Sequence, residues 1–122
     1  MKYISTRGNY DKVEASEAIR TGMVPTGGLF VPENIPCFTL EQIREMKEKT
    51  YQEMTLEVLE KYLTDYSKEE LEEAINAAYN ETNFPEDEVA PLIKLNDNLY
   101  ILELWHGPTA AFKDMALQLM PQ

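Results

Sequence analysis

Glycine is scarce in this chain, five residues in 122, below an average usage of about 7%. The five are Gly8, Gly22, Gly27, Gly28 and Gly107, so residues 29–106 contain none, and neither the GxGxxG nor the GxxxxGK(S/T) spacing occurs. No loop therefore offers an obvious run of backbone N–H groups to cradle a phosphate. Cysteine and histidine are scarcer still. The single Cys37 excludes an intrachain disulfide, and with the lone His106 it leaves too few ligands for a zinc site, so no metal is expected. Apolar runs are only a few residues long, well short of the ~20 needed to cross a bilayer, and the start of the chain has no signal-peptide run. Bases are half as many as acids, 11 against 22, for a net charge of −11. That balance argues against nucleic acid, whose affinity comes mainly from clustered Lys and Arg. A cytoplasmic protein without a membrane partner is expected, long enough to bury roughly two-thirds of its unfolded surface.

What is present is unevenly placed. Between Glu41 and Glu88 there are 15 acids and 5 bases, net −10, while the remainder carries net −1. This middle segment reads as three helices. Thr39 with Gln42 and Ser67 with Glu70 have the spacing of capping boxes, in which each side chain satisfies the other residue's free backbone N–H. After Ser67, Leu71, Ala74, Ile75 and Ala78 recur at i, i+3, i+4, i+7, and Glu69, Glu70, Glu72 and Glu73 point elsewhere. A similar stripe joins Tyr51, Met54, Val58 and Tyr62, widened by Leu59 and Leu63, and Leu40, Ile43 and Met46 mark a shorter helix before it. The acidic face reads as solvated surface.

The flanks read differently. Lys2 to Thr6 alternates as a short strand, Ser16 to Thr21 suits a short helix ended by Gly22, and Gly27-Gly28 turns into the strand-like Leu29-Phe30-Val31, with Pro32 and Pro36 breaking the pattern after it. Asn80 to Pro91 is the expected irregular loop. Leu92–Leu95 and Leu99–Leu104, separated by Asn96-Asp97-Asn98, read as a β-hairpin. Gly107-Pro108 then supplies a turn, Thr109 can cap, and a largely apolar helix is expected from Ala110 to Met120.

Four positions could carry chemistry. Lys113 has apolar neighbours on that helix, including Phe112, Met115, Ala116 and Leu117; burial disfavours an ammonium, and a neutral amine is the nucleophile of Schiff-base chemistry. The plain alternative is an exposed or snorkelling lysine paired with an acid such as Asp114. His106 reads as a general acid or base, a donor to an anion, or a structural residue at a strand end. Thr109 reads as an anion contact or an ordinary helix cap. Cys37, between Pro36 and Phe38 with no basic neighbour, reads as a packing residue.

The run His106-Gly107-Pro108-Thr109-Ala110-Ala111-Phe112-Lys113-Asp114 resembles the HGPT-x-AFKD signature of threonine synthases, pyridoxal phosphate (PLP) enzymes that convert O-phosphohomoserine and water to threonine and phosphate. Tyr3 to Gly8 resembles that family's opening, and Gly22 to Pro32 resembles its glycine-glycine turn. Glu14-Ala15 departs from it, standing where a Ser-Phe-like pair is expected. The resemblance implies that Lys113 holds PLP as a Schiff base and acts as catalytic proton shuttle, with His106, Thr109 and Phe112 around the cofactor.

The resemblance also implies an α/β fold, α+β in the part present: a helical amino-terminal domain with short strands and a hairpin over residues 1–91, then the start of a tryptophan-synthase β-like (fold type II) PLP domain over 92–122. The implied activity is that of a carbon-oxygen lyase acting on phosphates in threonine biosynthesis, with O-phosphohomoserine as its small-molecule substrate. The chain is expected to be the amino-terminal fragment of such an enzyme, inactive alone, with the remainder of its own chain as partner. Met115, Leu117, Leu119 and Met120 would otherwise be exposed, so the bare fragment is expected to self-associate. Two other readings stand beside this one: an acidic helical protein-interaction module, and a threonine-synthase-like phospholyase with the same lysine motif.

Overall fold

The computed structural model describes residues 1–85 and 88–122. The chain divides into two compact units, Met1–Leu71 and Glu72–Gln122. Its secondary structure mixes helices with two separate antiparallel strand pairs.

In the first unit, β1 (Tyr3–Ser5) pairs with β2 (Phe30–Pro32) in the register Tyr3↔Pro32, Ile4↔Val31, Ser5↔Phe30. Pro32, read from sequence as a breaker, is the last residue of β2. In a two-stranded ribbon both strands are edges, where a missing N–H is tolerated, and Glu33 N–H takes up the ladder by donating to Lys2 O at 2.8 Å. Between them lies α1 (Ala15–Thr21), with Ala15 and Ala18 buried. Gly22 ends this helix at φ +72°, its N–H donating to Ala18 O. The glycine pair is a tight turn: Gly27 and Gly28 lie at φ +90° and +105°, Gly27 N–H donates to Val24 O, and Val24 N–H donates to Gly28 O. This turn and the amino end are tied together. Thr6 N–H donates to Leu29 O, Leu29 N–H to Thr6 Oγ1, and Asn9 Nδ2 to Thr26 O.

Three capped helices follow: α2 (Leu40–Met46), α3 (Tyr51–Tyr62) and α4 (Lys68–Ala78). The Thr39–Gln42 and Ser67–Glu70 boxes both form as the spacing predicts. A third box, Thr50–Glu53, starts α3 with the same three-residue spacing. No residue of α2 or α3 is fully buried, so their expected stripes are half-covered at most. On α4 the predicted stripe holds: Leu71, Ile75 and Ala78 are buried, and Glu69, Glu70, Glu72 and Glu73 are exposed. Cys37 is exposed, contrary to its reading as a packing residue; Pro36 beside it keeps this stretch irregular, outside any element that could bury it.

α4 starts in the first unit and ends in the second, whose core comprises Ile75, Ala78, Tyr79, Phe84 and Val89. Phe84 is 2% exposed and packs its ring 5.7 Å from that of Tyr79. The loop carrying it is fixed by asparagines: Asn83 Nδ2 donates to Ala78 O at 2.9 Å, and Phe84 N–H to Asn80 O at 2.8 Å. The hairpin follows as expected, β3 (Leu92–Asn96) against β4 (Leu99–Leu102), with a bulge between Lys94 and Asn96. β4 stops at Leu102, two residues short of the expected end, although Glu103 N–H still reaches Pro91 O at 2.9 Å. Last comes α5 (Asp114–Leu117), a single turn anchored by Tyr79 Oη, which donates to Met115 O at 2.5 Å. Among the described residues, no helix is long and apolar enough to cross a membrane.

Candidate active site

The candidate residues converge where the hairpin leads into α5. His106 follows β4, its Nε2 2.7 Å from Glu103 Oε2, with both side chains largely buried. The Trp105 ring lies 5.7 Å from the imidazole, tilted by 32°. Glu103 thus fixes the orientation of His106, a relationship that the three-residue spacing hints at only if the local backbone is known.

Gly107-Pro108 then turns the chain, and Ala110 N–H donates to Gly107 O at 3.0 Å. Ala110 adopts φ +55°, a left-handed conformation that costs a residue with a Cβ about 1–2 kcal/mol. This conformation corrects the sequence reading, because a continuous helix from Ala110 cannot pass through it. The helix is confined to Asp114–Leu117, and Thr109 is not its cap. Instead, Thr109 donates twice to one oxygen of Asp114, from N–H at 2.8 Å and from Oγ1 at 2.9 Å.

Asp114 is the most buried charged residue of the site, 1% exposed, and its Oδ1 has no hydrogen-bond partner. Burial by itself would raise its pKa, but the Thr109 N–H and hydroxyl bonds outweigh that and hold the carboxyl below its ordinary range. From sequence, Asp114 is only a partner for Lys113. The structure assigns that carboxylate to Thr109, and among the described residues Lys113 makes no ion pair.

Lys113 sits at the start of α5 with its carbonyl accepting from Ala116 and Leu117 N–H, while its side chain is exposed. The apolar burial expected from its neighbours is not found, because those neighbours do not share a long helix; Phe112 itself is 66% exposed. The arrangement is an accessible primary amine on a backbone turn held by a buried carboxylate, with an oriented imidazole at the other end of the turn. An amine so placed can attack a carbonyl carbon when neutral. Among the described residues, no group of three His, Cys, Asp or Glu side chains could hold a metal ion.

Comparison with known proteins is consistent across this chain. The family model for the threonine synthase N terminus matches residues 2–79. A threonine synthase of Pseudomonas aeruginosa is 40% identical over 121 residues, covering 98% of this chain and 25% of that protein. A human protein named threonine synthase-like 1 is 40% identical over 130 residues, covering 98% of this chain and 17% of that one. The crystal structure of a PLP-bound threonine synthase from Brucella melitensis superimposes with a TM-score of 0.92 at 41% identity, covering 98% of this chain and 26% of that one. The chain thus spans about a quarter of the length of the bacterial relatives it matches.

Proposed function

The chain belongs to the threonine synthase family, and we propose that it carries the PLP-attachment lysine, Lys113, of an enzyme converting O-phosphohomoserine and water to threonine and phosphate. The observation that carries this reading is the accessible Lys113 amine, without an ion pair among the described residues, on the turn that bears the family's motif. An aldehyde cofactor requires such an amine, so the residues present fit the covalent end of PLP. On this reading residues 1–91 form the amino-terminal domain and 92–122 open the cofactor-binding domain of a biosynthetic lyase.

When bound, PLP supplies an electron sink that stabilises negative charge on substrate carbons. The protein's own part is proton handling and placement. Lys113 Nζ is the proton shuttle and takes the proton from the substrate α-carbon. Glu103 holds the His106 ring, and His106, Thr109 and Phe112 shape the approach to the amine. The 122 residues contain no glycine-rich phosphate cradle, so this chain by itself lacks the fixed surroundings on which turnover depends.

The test is borohydride reduction of the full-length polypeptide with PLP, followed by peptide mapping. A label on Lys113 is the expected result; a label on another lysine, or none, overturns the reading. The chain is as similar to a protein named threonine synthase-like 1 as to a threonine synthase, which leaves room for a second reading, in which the same lysine serves a phospholyase. Product analysis from O-phosphohomoserine separates the two: threonine with phosphate supports the synthase, and phosphate without threonine supports the phospholyase.

A further inference from the structure

Asp114 has no part in the reaction just described, yet it is the most tightly enclosed polar group beside Lys113. Its Oδ2 receives both Thr109 donors, and its side chain occupies a space that exists only because residue 107 has none. A Cβ at position 107 would stand 2.4 Å from Asp114 Cβ and 2.7 Å from Oδ2. Gly107 does not have a positive φ, unlike the other four glycines. The requirement for glycine at 107 is therefore one of space for the carboxylate and not one of backbone conformation. The same turn contains Ala110 in its left-handed conformation. Such a conformation persists only where surrounding contacts over-determine it, and the two bonds from the preceding residue, Thr109, supply such contacts.

We propose that Asp114 is the positioning residue for Lys113: seated against Gly107 and bonded twice by Thr109, it fixes the 107–113 turn and so the direction from which the adjacent lysine presents its amine. Asp114 touches neither substrate nor cofactor on this account. Losing the clasp lets the turn relax toward the continuous helix that its sequence otherwise favours. Lys113 then moves to a different place on the helix surface while the rest of the fold is retained. This inference rests on the reading of Lys113 as the PLP-attachment residue.

The experiment compares PLP attachment in full-length wild type, Asp114→Ala and Asp114→Asn by the rate of borohydride-trapped label at Lys113, the visible absorption of the bound cofactor, and the melting temperature of each protein. If the wild-type label maps elsewhere, the reading of Lys113 fails before any variant is compared. If it maps to Lys113, Asp114→Ala is expected to slow trapping by about tenfold or more, the scale of losing charge-assisted hydrogen bonds. Asp114→Asn, which keeps a carbonyl oxygen for both Thr109 donors, is expected to recover to within about threefold of wild type. Equal trapping in all three proteins overturns the proposal, as does equal impairment of the two variants. If Asp114→Ala yields no folded protein, Gly107→Ala takes its place, since the added methyl displaces the carboxylate and leaves both Lys113 and Asp114 in the sequence. Trapping in that variant within about twofold of wild type overturns the proposal.

Discussion

The Asp65 carboxylate accepts the backbone N–H of Ser16 at 2.9 Å, across 49 residues of sequence. Ser16 is the second residue of α1, whose own N-cap residue, Glu14, makes no side-chain cap bond and is instead paired with Lys2. A distant aspartate therefore does the work of a local cap. Replacing Asp65 with Ala is expected to cost about 1 kcal/mol, as for other N-cap losses, read as a lower denaturant midpoint. The hydrogen bonds to Ser16 also set a pH dependence. Burial opposes ionisation of Asp65, but those bonds outweigh it and lower its pKa from the ordinary 3.8. A lowered carboxylate pKa contributes stability above the unfolded value and loses it as pH falls through the folded value. The wild type should therefore lose stability below about pH 4 more steeply than Asp65→Asn, and parallel acid titrations of the two would refute this.

Gly28 is confined on two counts. Its φ is +105°, and a Cβ there would lie 3.0 Å from Thr6 Oγ1 and 3.3 Å from Ser5 Oγ. Gly28→Ala is expected to destabilise the first unit by about 1–2 kcal/mol. Thermal or urea unfolding checks the value, and an unchanged midpoint contradicts it.

Phe84 fills the core of the second unit from a segment without regular structure. Phe84→Ala should cost about 3–5 kcal/mol through lost burial and the cavity left behind. Loss of hydrogen-exchange protection in α4 and near Tyr79 is the accompanying local sign.

Lys113→Arg keeps the charge but removes the primary amine. In the full-length enzyme this change should abolish covalent PLP labelling and reduce turnover by about 10²–10⁴-fold, the usual reach of a positioned acid-base group. Turnover close to wild type would contradict the role given to Lys113.

The hairpin exposes every residue of β3 and β4, including Leu92, Ile93, Leu95, Tyr100 and Leu102, and Leu117 and Met120 are exposed beyond it. Apolar side chains exposed in this number promote association. The 122-residue chain alone should grow in apparent mass with concentration by light scattering. A constant monomer mass is the outcome that counts against it.

The parts of this fold that are legible in the sequence are those whose physics is local. The Thr39 and Ser67 capping boxes depend on residues three apart, and both form. The stripe on α4 depends on one helical period, and it is buried as read. Where a second interaction competes, local reading fails. Residues 110–120 have good helix composition, but Ala110 N–H is given to Gly107 O with Ala110 in the left-handed region, the Asp114 carboxylate takes both Thr109 donors, and only Asp114–Leu117 remains helical.

The sequence by itself determined the family, through the motif from His106 to Asp114 and the two amino-terminal segments, because runs of adjacent residues are legible without the fold. It also determined the number and order of helices, through spacing and caps. Only the tertiary structure decided that Asp65 caps α1, that Phe84 is core, and that Asp114 answers to Thr109 instead of Lys113. Each of these depends on which groups meet in space, and a buried carboxylate chooses the partner whose geometry satisfies it over the one nearest in sequence.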